Sequence, residues 1–123
     1  MSTRPVFTPY PVITNASMTA NITSAVTIVK MLSQISYDIS WTGSPTGTFA
    51  VQVSDTYSQF SDGTVNNPGD WVSLPLSATP VTGGAAGNGM IDILATGTYA
   101  MRLVYTFASG TGTLNATISA KVA

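Results

Sequence analysis

The feature that most constrains this chain is the alternation of apolar and polar residues along most of its length. In residues 35–41 and 49–53, apolar side chains occupy every second position, and mostly small or polar residues lie between them. A period of two is typical of β-strands with one buried face. Thr, Val, Ile and Tyr, which favour strands, dominate these segments, and no stretch shows convincing helical periodicity.

These segments and the turns between them predict an all-β chain with about seven antiparallel strands. The predicted strands cover residues 18–28, 35–41, 49–53, 71–76, 90–94, 99–107 and 114–122. Clusters rich in Gly, Pro and Ser, such as 43–47 and 109–112, indicate hairpin turns. Short strands with regular turns are typical of an antiparallel sandwich or barrel. At 123 residues the chain has the length of a single domain.

The beginning of the chain differs from the rest because prolines interrupt it. Three prolines lie within residues 5–11, where they favour extended backbone and remove hydrogen-bond donors from any strand ladder. We therefore predict an extended arm over residues 1–13 and a single β-sandwich domain over residues 14–123. The arm is expected to dock on a neighbouring subunit, and packing back on its own domain is the alternative.

The candidate partner-binding residues come from this arm and from one polar loop. They are Pro5, Phe7, Pro9, Tyr10, Pro11, Tyr57 and Phe60. Aromatic side chains on a loop can anchor a protein interface or stack on sugar rings. The alternative for Phe60 and Trp71 is that they plug the end of the sandwich. By contrast, Tyr37 and Trp41 share the apolar positions of one strand and are expected in the core.

The composition argues against an enzyme. The chain has no His, Cys or Glu, so five Asp are its only side-chain carboxylates. It therefore lacks the groups for a Ser-His-Asp triad, a thiol nucleophile or a Cys-type zinc site. We expect no catalytic residue, cofactor or metal ion. Asp55, Asp62 and Asp70 lie near one another in sequence and leave Ca²⁺ as a less favoured alternative, because turn formation explains the same residues.

The charge content limits the possible partners. Charged residues are 7% of the chain and the net charge is −1, which argues against nucleic-acid binding through a basic patch. No run approaches the roughly 18 apolar residues of a membrane helix, and no signal peptide is expected. We expect the chain to stay in the cytoplasm or to be released by lysis. A weakly charged surface favours self-association, although a hydroxyl-rich monomer remains the alternative.

Arg102 occupies a polar position on the long strand predicted for residues 99–107. A charged side chain at such a position more often protects a sheet edge or solvates a face than binds a ligand. We therefore expect Arg102 to have one of these structural roles.

Three sequence segments resemble parts of a known group of proteins. They are WTGSPTGTFAVQVS at residues 41–54, WVSLPL at 71–76, and RLVYTFASGTGTLNATISAK at 102–121. Together they make residues 34–123 similar to small structural proteins of tailed bacteriophages. The chain departs from the pattern at Phe107 and Ala108, where related segments carry a charged residue.

The resemblance implies a β-sandwich virion component that carries out no catalysis. It implies a capsid decoration (cement) protein on the outer capsid surface, or a head or tail accessory protein. The implied partners are the major capsid protein or another virion protein, and copies of the chain itself, with a trimer expected. The implied location is the virion, assembled in the host cytoplasm. A carbohydrate-binding module for host attachment is the alternative, with Tyr57, Phe60 and Trp71 as its stacking platform.

Overall fold

The computed structural model describes residues 9–28, 34–74, 82–94 and 99–121. Within these ranges the regular secondary structure consists of antiparallel β-strands, which confirms the predicted all-β class. The strands are, in chain order, β1 (Tyr10–Ser17), β2 (Ile22–Thr23), β3 (Thr27–Ile28), β4 (Gln34–Gly43), β5 (Thr46–Ser54), β6 (Ser58–Gln59), β7 (Val65–Asn67), β8 (Val72–Ser73), β9 (Gly87–Leu94), β10 (Ala100–Ser109) and β11 (Gly112–Lys121).

The described residues contain no helix that is both long and apolar enough to cross a membrane.

Two sheets make up the sandwich. The first sheet has the strand order β1-β11-β4-β9. The second sheet has the order β2-β10-β5-β8, and β3 also pairs with β10. The inward positions of both sheets are filled by the alternating apolar residues, because each sheet can shield only one face from water by packing on the other.

The short strands β2 and β3 act as one interrupted strand along β10. Thr23 pairs with Val104 and Thr27 pairs with Met101, so the register moves by one residue between them. Ser24 bridges the interruption, because its hydroxyl accepts the N–H of Leu103 at 2.8 Å. The buried Leu103 amide is therefore hydrogen-bonded even though the strand beside it is interrupted.

With β2 and β3 taken as one strand, the sandwich has the connectivity of a jelly roll. Its first strand pairs with its last strand in one sheet, and its second strand pairs with its penultimate strand in the other. Two four-stranded antiparallel sheets with this order are the eight-stranded jelly-roll architecture. The small pair β6 and β7 forms a separate two-stranded sheet inside the connection from β5 to β8.

The sandwich begins earlier than the predicted boundary at residue 13. β1 starts at Tyr10, Pro11 is paired with Thr117, and Val12 and Ile13 are buried in the core. Prolines are compatible with this strand because β1 is at the edge of its sheet, where a missing N–H need not face a neighbour. Residues 10–13 therefore belong to the domain, and residues 1–8 of the predicted arm lie outside the described residues.

The core is a single apolar cluster between the two sheets. Aromatic rings connect the sheets at one end, where Trp41 lies 5.4 Å from Phe49 and Phe49 lies 5.2 Å from Tyr105 between ring centroids. Tyr37 and Trp41 are both buried, which confirms their predicted place in the core. The indole N–H of Trp41 donates to the carbonyl of Ala85 at 2.7 Å, so its polar edge is also satisfied.

Two phenol groups in this core are unusual. The hydroxyls of Tyr37 and Tyr105 are buried and have no hydrogen-bond partner within the described residues. Burial raises the pKa of both phenols, because removal from water disfavours the charged phenolate. A buried hydroxyl without a partner costs free energy, so these groups reduce the stability that the rings contribute.

We predict that Tyr37→Phe stabilises the fold. The substitution removes the unpaired hydroxyl and keeps the ring, so the free energy of unfolding should rise by about 1 kcal/mol. Urea unfolding at neutral pH measures this change, and Tyr10→Phe is the control because Tyr10 is 63% exposed. A loss of stability in Tyr37→Phe would contradict the prediction.

The same substitution should alter the response to alkali. Burial raises the pKa of Tyr37 in the folded chain, so the unfolded chain releases the phenol proton first, near the ordinary pKa of about 10. Titration of this group therefore leaves the free energy of unfolding unchanged below that pH and lowers it as the pH rises further. Tyr37→Phe should therefore lose less stability than the parent chain above that pH. Equal losses in both proteins would show that Tyr37 does not titrate on unfolding.

Candidate interaction surfaces

The connection between β5 and β8, residues 55–71, forms a folded projection that we call the β5–β8 insertion. Its small sheet pairs Ser58 with Asn67 and Gln59 with Val65. The turn between β6 and β7 is closed by Asp62, whose carboxylate accepts the N–H and the hydroxyl of Thr64 at 3.0 and 2.7 Å. These hydrogen bonds hold the pKa of Asp62 below its usual value. Asp62 thus has a structural role in the turn.

The base of the β5–β8 insertion is fixed to the end of β5. The buried hydroxyl of Ser54 accepts the N–H groups of Thr56 and Tyr57 at 3.2 and 3.1 Å. Gly69 returns the chain to the same point with a φ of +80°, where a Cβ would lie 2.7 Å from the Ser54 oxygen and 2.9 Å from the Cα of Tyr57. The close approach requires a residue without a side chain at this position.

An aromatic and cationic stack connects the insertion to the second sheet. Trp71 lies 5.7 Å from Tyr57 between ring centroids, and the guanidinium carbon of Arg102 lies 4.2 Å from the Trp71 ring centroid. Arg102 also donates from Nε to the side-chain carbonyl of Gln52 at 2.8 Å. A guanidinium over an indole face is a favourable cation–π contact. Partial burial lowers the pKa of Arg102 without removing its charge at neutral pH.

Arg102 therefore does not protect a sheet edge. Its strand β10 lies inside the second sheet, between β2 and β5, so neither side of the strand is open there. The side chain instead lies across the outer face of the sheet and fixes the position of Trp71.

The predicted loop aromatics Tyr57, Phe60 and Trp71 differ in their exposure. Tyr57 is buried, with 5% of its surface exposed, and its hydroxyl accepts the amide of Gln59 at 2.8 Å. The expectation that Tyr57 is an exposed contact residue is therefore wrong, because the insertion folds back over it. Phe60 is 57% exposed and does not plug the sandwich. Trp71 is half-buried, and Arg102 covers one face of its ring.

Of the described residues of the predicted arm, those that precede the buried Val12 and Ile13 are exposed. Pro9 and Pro11 are exposed, and Tyr10 is 63% exposed although it pairs with Ile118. Pro5 and Phe7 lie outside the described residues. Partner binding by these residues stays a prediction, now with Tyr10 at the end of an edge strand rather than on a free arm.

Three exposed apolar residues are not among the residues predicted from the sequence. Val65 on β7 is 52% exposed, Val72 on β8 is 65% exposed, and Met90 on β9 is 59% exposed. The pattern around Met90 already indicates its direction, because it shares the outward positions of Asn88 and Asp92 while Ile91 is buried.

The carboxylates do not gather into a site within the described residues. There, no three His, Cys, Asp or Glu side chains lie close enough to hold a metal ion. Asp55 accepts the N–H of Tyr99 at 3.1 Å, and Asp38 and Asp92 are exposed on the first sheet. These positions fit turn and surface roles.

Comparison with known proteins identifies the fold but not the family. The sequence matches no protein-family profile and no curated protein sequence. Among solved structures, the SPBc2 prophage-derived protein YomS is similar, with a TM-score of 0.54, 14% identity and 97% of each chain covered. A chain of infectious bursal disease virus Gx strain has a TM-score of 0.52 and 12% identity, over 98% of this chain and 33% of the viral chain. The VP2 subviral particle of the same virus gives a TM-score of 0.50 and 10% identity, with 97% and 33% covered.

We predict that Gly69→Ala displaces the β5–β8 insertion. The new methyl group would collide with Ser54 and Tyr57, so the free energy of unfolding should fall by about 2 kcal/mol or more. Gly63→Ala is the matched control, because Gly63 also has a positive φ (+89°) but has nothing within 4 Å of the added methyl. It should cost only about 1 kcal/mol. Urea unfolding followed by tryptophan fluorescence tests the difference, and equal losses would contradict the close packing of Gly69.

Proposed function

We propose that this chain is a non-enzymatic structural protein of a virion that decorates the outer surface of a capsid. The observation that carries the proposal is the jelly roll, which YomS shares over 97% of both chains. YomS is prophage-derived, and the same fold covers about a third of the chain that forms the VP2 subviral particle. These likenesses agree with the resemblance of residues 34–123 to structural proteins of tailed bacteriophages.

The surface of the chain suits a role in a repetitive assembly. Only 7% of its residues are charged, and apolar side chains are exposed at several separate places. They are Tyr10, Phe60, Val65, Val72 and Met90. Weak contacts of this kind become effective in a repetitive lattice, because a copy that is held by one contact is at a high effective concentration for its other contacts. The proposed mechanism is therefore mechanical reinforcement of boundaries between capsid subunits.

The proposed contact with the capsid uses the beginning of the chain. Pro9, Tyr10 and Pro11 are exposed at the beginning of β1 and are the described part of this contact. The major capsid protein is the proposed partner, with Pro5 and Phe7 in the same contact. An extended proline-containing segment loses little conformational entropy when it binds, which favours this type of contact.

The two alternative functions have different support. A head or tail accessory protein would use the same sandwich and differs only in the virion surface that it binds. A carbohydrate-binding module has less support, because its proposed platform is not assembled: Tyr57 is buried and Arg102 occupies one face of Trp71. A sugar ring would have to displace the guanidinium in order to stack on that face.

Binding to capsids that lack this chain tests the proposal. Purified protein is added to such particles, and the bound copies are counted after sedimentation. We expect binding that saturates at a fixed number of copies per capsid. Deletion of residues 1–8 should weaken binding by about tenfold or more, since it removes Pro5 and Phe7 but leaves β1 complete.

The control for this experiment is Trp71→Ala, which removes the stacking ring and leaves the arm unchanged. It should bind capsids like the parent chain. Full occupancy by the shortened chain would contradict the arm contact. Binding to isolated tails but not to capsids would replace decoration with the tail accessory function, and binding only to glycans, abolished by Trp71→Ala, would favour the carbohydrate module.

A further inference from the structure

The edges of the two sheets are not equally protected. An edge strand has backbone N–H and C=O groups on one side that can pair with another chain unless something blocks them. β1 is blocked by Pro11, by two irregularities of register and by Asn15 at a φ of 49°. β2, β3 and β8 contain two residues each, which is too short to offer a continuous ladder.

β9 is the exception among these edges. Its eight residues pair with β4 from Gly87 to Leu94 without a shift of register, and within the described ranges no strand pairs with its other side. Its sequence, GNGMIDIL, contains neither Pro nor Lys, and Asp92 is its only charge. Met90 projects from the middle of the strand and is 59% exposed. β9 is therefore a long, regular and largely apolar edge.

We propose that β9 pairs with β9 of a second copy of this chain, antiparallel, across a two-fold axis at Met90. This register faces Met90 with Met90, Asn88 with Asp92, Gly89 with Ile91, and Gly87 with Ile93. The two four-stranded sheets then join into one continuous sheet of eight strands. The inference does not depend on the proposed virion function.

In this register the outward-facing residues of one β9 pair favourably with those of the β9 in the other copy. Asn88 can donate its amide N–H to the carboxylate of Asp92 on the other copy, and the two-fold axis makes this pair occur twice. The two Met90 side chains cover each other at the centre. A register centred on Asp92 would instead place two carboxylates opposite each other, and like charges in that position are destabilising.

The inward-facing residues of the two β9 strands match in size, because a large residue of one copy faces a small residue of the other. Ile91 and Ile93 are already buried in the core of their own copy, with 3% and 5% exposed. Gly89 and Gly87 would face them across the new contact, and residues without side chains leave these isoleucines in place. Large residues and small residues therefore alternate across the axis, so the pairing requires no repacking of either core.

A contact of this kind produces a dimer. The same surface is used by both copies, so the interface is closed and does not propagate into a fibre. The trimer expected from the phage resemblance would need a different contact and stays a separate prediction. Because the contact is small, we expect reversible association rather than a permanent dimer.

Sedimentation velocity over about 1 μM to about 1 mM protein tests the proposal with charge changes at β9. The parent chain should form dimers as its concentration rises. Asn88→Asp should weaken the dimer by roughly fivefold or more, because it creates two like-charge pairs. Asn88→Lys should strengthen it by a similar factor, since the new lysine faces Asp92.

The double variant Asn88→Asp with Asp92→Asn exchanges the two side chains and keeps the pairing, so the parent affinity should return within about twofold. Asn66→Asp is the matched control, because it makes the same chemical change at an exposed position on β7. Circular dichroism checks that each variant is folded. A parent chain that stays monomeric overturns the proposal, as does a dimer that Asn88→Asp leaves unchanged or that the double variant fails to restore.

Discussion

The structure depends on the face-to-face packing of two sheets. In the described residues the regular elements are strands, so each sheet can shield its apolar face only against the other one. Trp41, Phe49 and Tyr105 make this packing visible, because their rings lie in contact from the first sheet to the second. In the jelly-roll connectivity each half of the chain supplies strands to both sheets.

Packing the two sheets together closes the core but does not pair the backbone N–H and C=O groups at the sheet edges. The chain shortens or distorts most of them: β8 has two residues, the strand formed by β2 and β3 is interrupted, and β1 is irregular. β9 remains regular along its whole length, with Met90 exposed on it. A surface with few charges gives little protection against association at such an edge, and the proposed pairing of β9 with a second copy rests on these two features.

The sequence predicts the central strands well because their alternation is not interrupted. Residues 35–41 and 49–53 alternate regularly, and both lie within long strands, β4 and β5. The prediction was wrong at β1, where the prolines indicated an arm, although an edge strand can tolerate them. It also began β9 at Met90 rather than Gly87, because two glycines and an asparagine weaken the strand pattern at its start.

The surfaces were harder to predict than the fold. Tyr57 lies in a polar loop sequence, and its burial depends on Gly69 returning the chain to Ser54, a contact that no local pattern reveals. The stack of Arg102 on Trp71 likewise joins residues far apart in the chain.

The most direct measurement of the central claim is cryo-electron microscopy of a particle that carries this chain. If the chain is a decoration protein, density for the jelly roll should lie on the outside of the capsid lattice at regular positions. Density for the residues before Tyr10 should then extend along a neighbouring subunit. Jelly-roll density confined to the tail, or particles with no copies bound to the capsid, would contradict the claim.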